Sequence, residues 1–227
     1  MNQLGLPISL NTSMLLENFV ENEELLRSIN QLFFDENSSE VFIYGGSGQG
    51  KTHVLQGAVL KALEMDKNAI YLDCSETFHE HILDFIDQID FISFDNVHLI
   101  SSENQEVFFD LYNRGRQNQI FILVSADSLP SDLDVMKDIK TRLSLAAVYK
   151  LKELDDDLII QVLNAQMSDR NLSVDPKIYK YLFKNYSRDL KSLLFIMDEL
   201  DKASLQAKKA ISIPFVRKFL NLNTNKI

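Results

Sequence analysis

A single cysteine, Cys74, in 227 residues excludes an internal disulfide. It closes the apolar segment Ala69-Ile70-Tyr71-Leu72-Asp73-Cys74 and reads as a buried strand residue, not a redox centre. No apolar run approaches the roughly 18 residues of a membrane span. The first basic side chain is Arg27, so no charged leader precedes an apolar stretch, and a cytoplasmic protein without a membrane partner is expected. The four histidines, His53, His79, His81 and His98, have no CxxC or HExxH companion. His79 and His81, two apart, would diverge on a helix, which argues against a transition-metal site. Basic charge is short overall, with a net charge of -10, but it is unevenly placed. Residues 1–149 hold 9 Lys and Arg against 23 Asp and Glu, whereas residues 150–227 hold 14 against 10. The basic second part reads as a solvated helical surface, and tight direct DNA binding is not expected.

Glycine is scarce too, and that makes its distribution informative. Four of the seven glycines fall in Gly45-Gly46-Ser47-Gly48-Gln49-Gly50-Lys51-Thr52, a G-x-x-x-x-G-K-[ST] pattern without mismatch. Ahead of it stands the apolar run Val41-Phe42-Ile43-Tyr44; behind it, His53 to Leu63 carries apolar residues at helical spacing. Strand, loop and helix are the setting a phosphate-binding P-loop requires. Its backbone N–H groups and the helix N-terminus face the phosphates, Lys51 reaches the β and γ phosphates, and Thr52 can ligate Mg²⁺.

Along the chain, residues 1–12 read as a flexible tail and Leu15 to Phe34 as helical in spacing. The runs Val41–Tyr44, Ala69–Leu72, Phe91–Phe94 and Ile120–Val124 read as buried strands separated by helical stretches, which predicts an α/β fold with a parallel sheet covered on both faces. A nucleotide-binding domain over 13–149 follows. From residue 150 the strand signal stops, and helix patterns at Asp155–Met167, Asp175–Tyr186, Arg188–Leu205 and Pro214–Leu222 predict a small all-helical domain.

Phe91-Ile92-Ser93-Phe94-Asp95 ends an apolar strand in a carboxylate, the arrangement that holds Mg²⁺ opposite a P-loop. The next residue, Asn96, can orient a water but cannot accept its proton, so slow hydrolysis is expected. Ser125-Ala126-Asp127 forms a polar tip on the strand expected beside it. Arginine is the rarer cation, seven against sixteen lysines, and two of the seven draw notice. Arg142 precedes the strand-like Ala147-Val148-Tyr149, and Arg188 opens a helix of the second domain. A planar, permanently charged fork suits phosphoryl transfer, although a surface ion pair would account for either residue equally well.

These pieces in this order resemble an AAA+ ATPase core with a C-terminal helical lid, across residues 15–222. Glu17-Asn18-Phe19-Val20, Phe109-Asp110-Leu111-Tyr112-Asn113 and Asp198-Glu199-Leu200-Asp201-Lys202-Ala203-Ser204 resemble the DnaA initiator branch. Gln3-Leu4-Gly5-Leu6-Pro7-Ile8, Asp95-Asn96 and Ile213-Pro214-Phe215-Val216-Arg217-Lys218-Phe219-Leu220 are similar to its Hda regulators of replication initiation. The resemblance implies ATP or ADP with Mg²⁺ held by residues 45–53, with Thr52 and Asp95 on the metal, Asp127 as strand-tip sensor and Arg188 as lid sensor. It also implies that Arg142 is an arginine finger offered in trans to ATP-bound DnaA, and that Gln3, Leu4, Leu6 and Pro7 bind the sliding clamp, the β subunit of DNA polymerase III. Homo-oligomer formation stays open. At the base-binding segment, where Val20 is the candidate contact, the family's Gly and Asn give way to Glu21-Asn22-Glu23-Glu24. The chain leaves no room after the lid for a helix-turn-helix, so sequence-specific DNA binding is not expected. Two other functions stay in view: a DnaA-like adaptor that does not stimulate hydrolysis, and a small-molecule kinase, which the scarcity of arginine disfavours.

Overall fold

The computed structural model describes residues 10–12, 14–19, 22–33, 40–78, 80–170 and 172–223. The sequence-based assignments to Gln3, Leu4, Leu6, Pro7 and Val20 lie outside the described residues. The chain forms two compact units, Met1–Lys152 and Glu153–Ile227.

In the first unit five parallel strands, β1 (Glu40–Tyr44), β2 (Ala69–Asp73), β3 (Phe91–Asp95), β4 (Phe121–Ala126) and β5 (Ala147–Lys150), make one sheet in the order β2-β3-β4-β1-β5. The sequence explains that order in part. Every residue of β3 and β4 is buried, as interior strands of a two-sided sheet require, whereas the edge strand β5 is mostly exposed. Strand side chains alternate between faces. Phe42, Ile92, Phe94, Ile122 and Val124 pack on one face against Phe108, Leu111 and Tyr112 of α3 (Asn104–Gln117) and Ile139 and Leu143 of α4 (Lys137–Leu143). Val41, Ile43, Phe91, Phe121 and Leu123 pack on the other against Leu25 and Ile29 of α1 (Glu23–Leu32) and Val54, Leu55, Ala58 and Val59 of α2 (Lys51–Glu64). Phe91 and Phe121 stack across that second face with ring centroids 4.8 Å apart.

The expected helix over Leu15–Phe34 is not continuous. A 3-10 turn spans Leu16–Asn18, Phe19 is extended, Asn22 is left-handed at φ 58°, and α1 begins only at Glu23. The described apolar residues Leu10, Leu16 and Phe19 pack with α2 as a strap instead. Asn11 N–H donates to Gln56 Oε1 at 3.0 Å, and His53 Nε2 and Leu15 O lie 2.8 Å apart. Leu10 packs on the same cluster, so the packed unit reaches into the segment expected to be a loose tail. Gly57 permits the strap: a Cβ there would stand 2.7 Å from Met14 O and 2.9 Å from Leu16 N, both backbone atoms that cannot swing aside. Gly57→Ala is expected to displace residues 10–19 and cost about 2 kcal/mol. Denaturant unfolding and amide exchange over those residues check this, and unchanged protection of the strap counts against it.

The second unit holds α5 (Asp156–Asp169), α6 (Pro176–Asn185), α7 (Leu190–Ala207) and α8 (Ile213–Asn223) around Leu163, Met167, Tyr179, Leu182, Leu193, Met197, Leu200 and Val216. Three carboxylates start its helices. Asp155 accepts from Leu158 N–H, Asp175 from Lys177 N–H ahead of Pro176, and Asp189 from Ser192 N–H. Among the described residues no helix is long and apolar enough to cross a membrane.

Candidate functional site

Parallel strands bring their carboxyl ends to one edge, and the loop after β1, the end of β3 and the end of β4 meet there. Gly50 has a φ of 91°, a value open to glycine, which lets α2 start at Lys51. The ring of Phe19 stands against Gly50, where a Cβ would come within 2.7 Å of Cε2. Lys51 is only 8% exposed, and its Nζ donates to Gly45 O at 2.7 Å and Gly46 O at 2.8 Å. Burial lowers its pKa, while Asp95 and Asp127 oppose that shift. Gly46 N–H donates to Gln49 Oε1 at 2.9 Å, so an anion binding there has to displace this side-chain carbonyl.

Asp95 is fully buried, and a buried carboxylate demands donors. Thr52 Oγ1 donates to its Oδ2 at 2.6 Å and Tyr71 OH at 2.8 Å; Ser125 Oγ and Asn96 N–H (3.0 Å) donate to Oδ1. Burial raises the pKa of the Tyr71 hydroxyl, with the charge of Asp95 adding to it, so Tyr71 remains a donor. Burial also pushes the Cys74 thiol up, with Asp73 and Asp95 reinforcing the shift; a fully buried thiol held neutral is unreactive. Asn96 sits at φ 56°, and its Nδ2 donates to Asp73 Oδ1 at 3.1 Å. Asp127 follows β4 and is capped by Ser128 Oγ at 2.9 Å.

Lys51, Thr52, Asp95 and Asp127 therefore gather at one edge. Arg142 does not join them. It lies in the last turn of α4, and the strand that follows pairs Ala147 with Val41, at the start of β1. Its charge acts on Tyr112, whose hydroxyl donates 2.8 Å to Glu40 Oε2 at the amino end of β1. Among the described residues no hydrogen bond or ion pair holds the Arg142 guanidinium. Arg188 belongs to the second unit and does not open a helix: Asp189 is the N-cap of α7, and Arg188, one residue earlier, faces Asp156 Oδ1 across 3.6 Å. It is 69% exposed, so this pair contributes little to stability.

The family model described as the bacterial DnaA ATPase domain matches residues 10–150, more than half of the chain. The chain belongs to that family. The lid-domain model of Hda matches residues 155–220, which makes this an Hda-like, DnaA-homologous AAA+ protein. An uncharacterised protein of Haemophilus influenzae is 34% identical over 228 residues, covering 97% of this chain and 99% of its own length. Domain III of DnaA from Thermotoga maritima has the same fold, with a TM-score of 0.81 at 20% identity over 94% of this chain and 98% of that one. AMPPCP-bound DnaA from Aquifex aeolicus aligns with a TM-score of 0.69 at 23% identity, over 84% of this chain and 67% of its own. The Holliday-junction motor RuvB of Thermotoga maritima aligns at 0.69 with 14% identity, over 92% and 72%.

Within this DnaA-type core, sequence reasoning missed Tyr71, Asp73 and His98, and within the polar tip Ser125-Ala126-Asp127 it singled out Asp127. Ser125 is the residue that turns inward to Asp95. Strand alternation carried that signal, because Ser125 shares a face with Phe121 and Leu123, two residues apart. Tyr71 carried none, since its contact with Asp95 spans two strands.

Proposed function

We propose that the protein binds ATP or ADP with magnesium at residues 45–53 and restrains replication initiation by stimulating hydrolysis of DnaA-bound ATP. Thr52 and Asp95 fit the metal, because a hydroxyl and a carboxylate already in contact are hard oxygen donors and leave the remaining positions to water and phosphate. When bound, the ion supplies positive charge that offsets the phosphates. Asn96 supplies no base, so the chain's own turnover is slow.

The observation that supports action on another protein is the placement of Arg142. It stands at the amino edge of the sheet while the P-loop leaves the carboxyl edge, a separation of about 13 Å along β1 at about 3.3 Å per residue. A guanidinium so placed serves a nucleotide held by a neighbouring molecule, and DnaA is the neighbour the family suggests. Arg188 takes the lid-sensor role and Asp127 the strand-tip role. Gln3, Leu4, Leu6 and Pro7 dock on the DNA polymerase III β clamp, which brings the protein to replicated DNA in the cytoplasm.

The experiment is DnaA-ATP hydrolysis with and without this protein, in the presence of clamp loaded on DNA. Acceleration that requires both supports the reading, and no acceleration removes it. The tail is tested separately. Gln3→Ala with Leu4→Ala is expected to weaken clamp binding at least about tenfold in surface resonance while nucleotide affinity stays the same. Undiminished clamp binding would instead favour an adaptor that docks by another surface.

A further inference from the structure

Asn96 cannot take a proton, and its carboxamide is committed to Asp73 through the 3.1 Å bond from Nδ2. Its backbone N–H is held by Asp95 Oδ1 at 3.0 Å and Ser125 Oγ at 3.1 Å. The chain then makes one 3-10 turn, Val97–Leu99, which brings His98 to the end of β4. There His98 Nε2 stands 3.9 Å from Asp127 Oδ2, and the side chain is 19% exposed. Its Nδ1 is buried and has no hydrogen-bond partner among the described residues. The buried Nδ1 is closed to water, so Nε2, on the side of Asp127, is the nitrogen the ring can offer at this edge.

The charges that face the ring come from four elements: Asp127 after β4, Lys51 at the start of α2, Asp95 at the end of β3 and Asp73 at the end of β2. His98 therefore shares its surroundings with the P-loop lysine and the metal-site carboxylate. Burial holds its pKa below the ordinary 6.5 and Lys51 pushes the same way, while Asp127, Asp95 and Asp73 push upward. At neutral pH the ring is an uncharged imidazole with a lone pair to offer.

We propose that His98 accepts the proton of the water that attacks the γ-phosphate in this chain's own slow hydrolysis of ATP, with Asp127 as the residue that positions its ring. This rests on the reading that the P-loop binds ATP. In the step, the water oxygen bonds to the γ-phosphorus as the bond from that phosphorus to the β–γ bridging oxygen breaks. The electron pair of the broken bond leaves on ADP, and the water's proton goes to Nε2 of His98, from which it returns to solvent. Asp127 offsets the imidazolium charge formed on the way. Carboxylates as a class are weaker bases than imidazole, which is why the proton is assigned to the ring.

The test is steady-state hydrolysis of ATP with Mg²⁺ between about pH 5 and 8, with ATP binding by the same proteins followed by calorimetry. In the wild type kcat/KM is expected to rise through one ionisation below pH 6.5 and then level off. His98→Gln is expected to lower kcat about 100-fold, abolish that ionisation and keep ATP affinity within about threefold. Asp127→Asn keeps the ionisation and moves it to lower pH, because it removes a carboxylate that favours the imidazolium. Wild-type turnover by His98→Gln, or an ionisation that survives in it, overturns the proposal. So does loss of the ionisation in Asp127→Asn, which gives the proton to the carboxylate, or a wild type that binds ATP without measurable turnover. A wild type that fails to bind ATP in the calorimeter is a separate result: it overturns the nucleotide reading itself.

Discussion

Arg142→Ala is expected to abolish stimulation of DnaA-bound ATP hydrolysis, a loss of about 10³-fold or more, while folding, nucleotide binding and clamp binding persist. The size follows from what a planar cation does when inserted beside a transferring phosphoryl group; fingers supplied by a neighbour are worth about 10³ to 10⁵ in rate. The selectivity follows from this structure. The guanidinium makes no hydrogen bond or ion pair among the described residues, so its removal breaks no polar contact of α4. A stability change within about 0.5 kcal/mol is expected. Arg142→Lys should rescue poorly, since a point charge cannot donate two parallel hydrogen bonds. Single-turnover hydrolysis of DnaA-bound ATP with each variant, beside thermal unfolding, decides the matter. Full stimulation by the alanine variant excludes the role, and stimulation lost together with the fold would point to a structural one.

Lys51→Ala is expected to weaken ATP and ADP binding about 100-fold, as measured by calorimetry. A charge-assisted hydrogen bond is worth about 1.5 to 3 kcal/mol, and about 1.4 kcal/mol corresponds to each factor of ten. Lys51 sits at 8% exposure with its ammonium satisfied by Gly45 O and Gly46 O. Those carbonyls are poor substitutes for phosphate, and burial already disfavours the charged ammonium. The fold therefore gains little from this buried ammonium, and the variant without ligand should melt no lower than the wild type. Equal affinity in the variant and the wild type would dismiss the P-loop as the nucleotide site.

What was legible beforehand divides by distance along the chain. The loop from Gly45 to Thr52, the strand ending in Asp95 and the switch to helices after β5 are each written in contiguous residues. Local conformational preference and period are enough to read them. The pattern failed between Leu15 and Asn22 for the same reason. Apolar residues that strap α2 and apolar residues on a helix recur at similar intervals, and only the left-handed Asn22 and the close approach at Gly57 separate the two cases.

By itself, then, the sequence determined an α/β core with a P-loop followed by helices, because the loop, the apolar strand runs and the helical spacing are each written in contiguous residues; the DnaA type entered as a resemblance of motifs. That β4 lies beside β3 was expected; only the tertiary structure decided that β1 takes its other side and that β2 and β5 form the edges. That order turns Ser125 toward Asp95, 30 residues away. It also joins Tyr71 to the same carboxylate, sets His98 beside Asp127 and leaves Arg142 at the far edge. Contacts between strand tips depend on how the sheet is ordered, and strand order is a property of the whole packed core that no single segment carries.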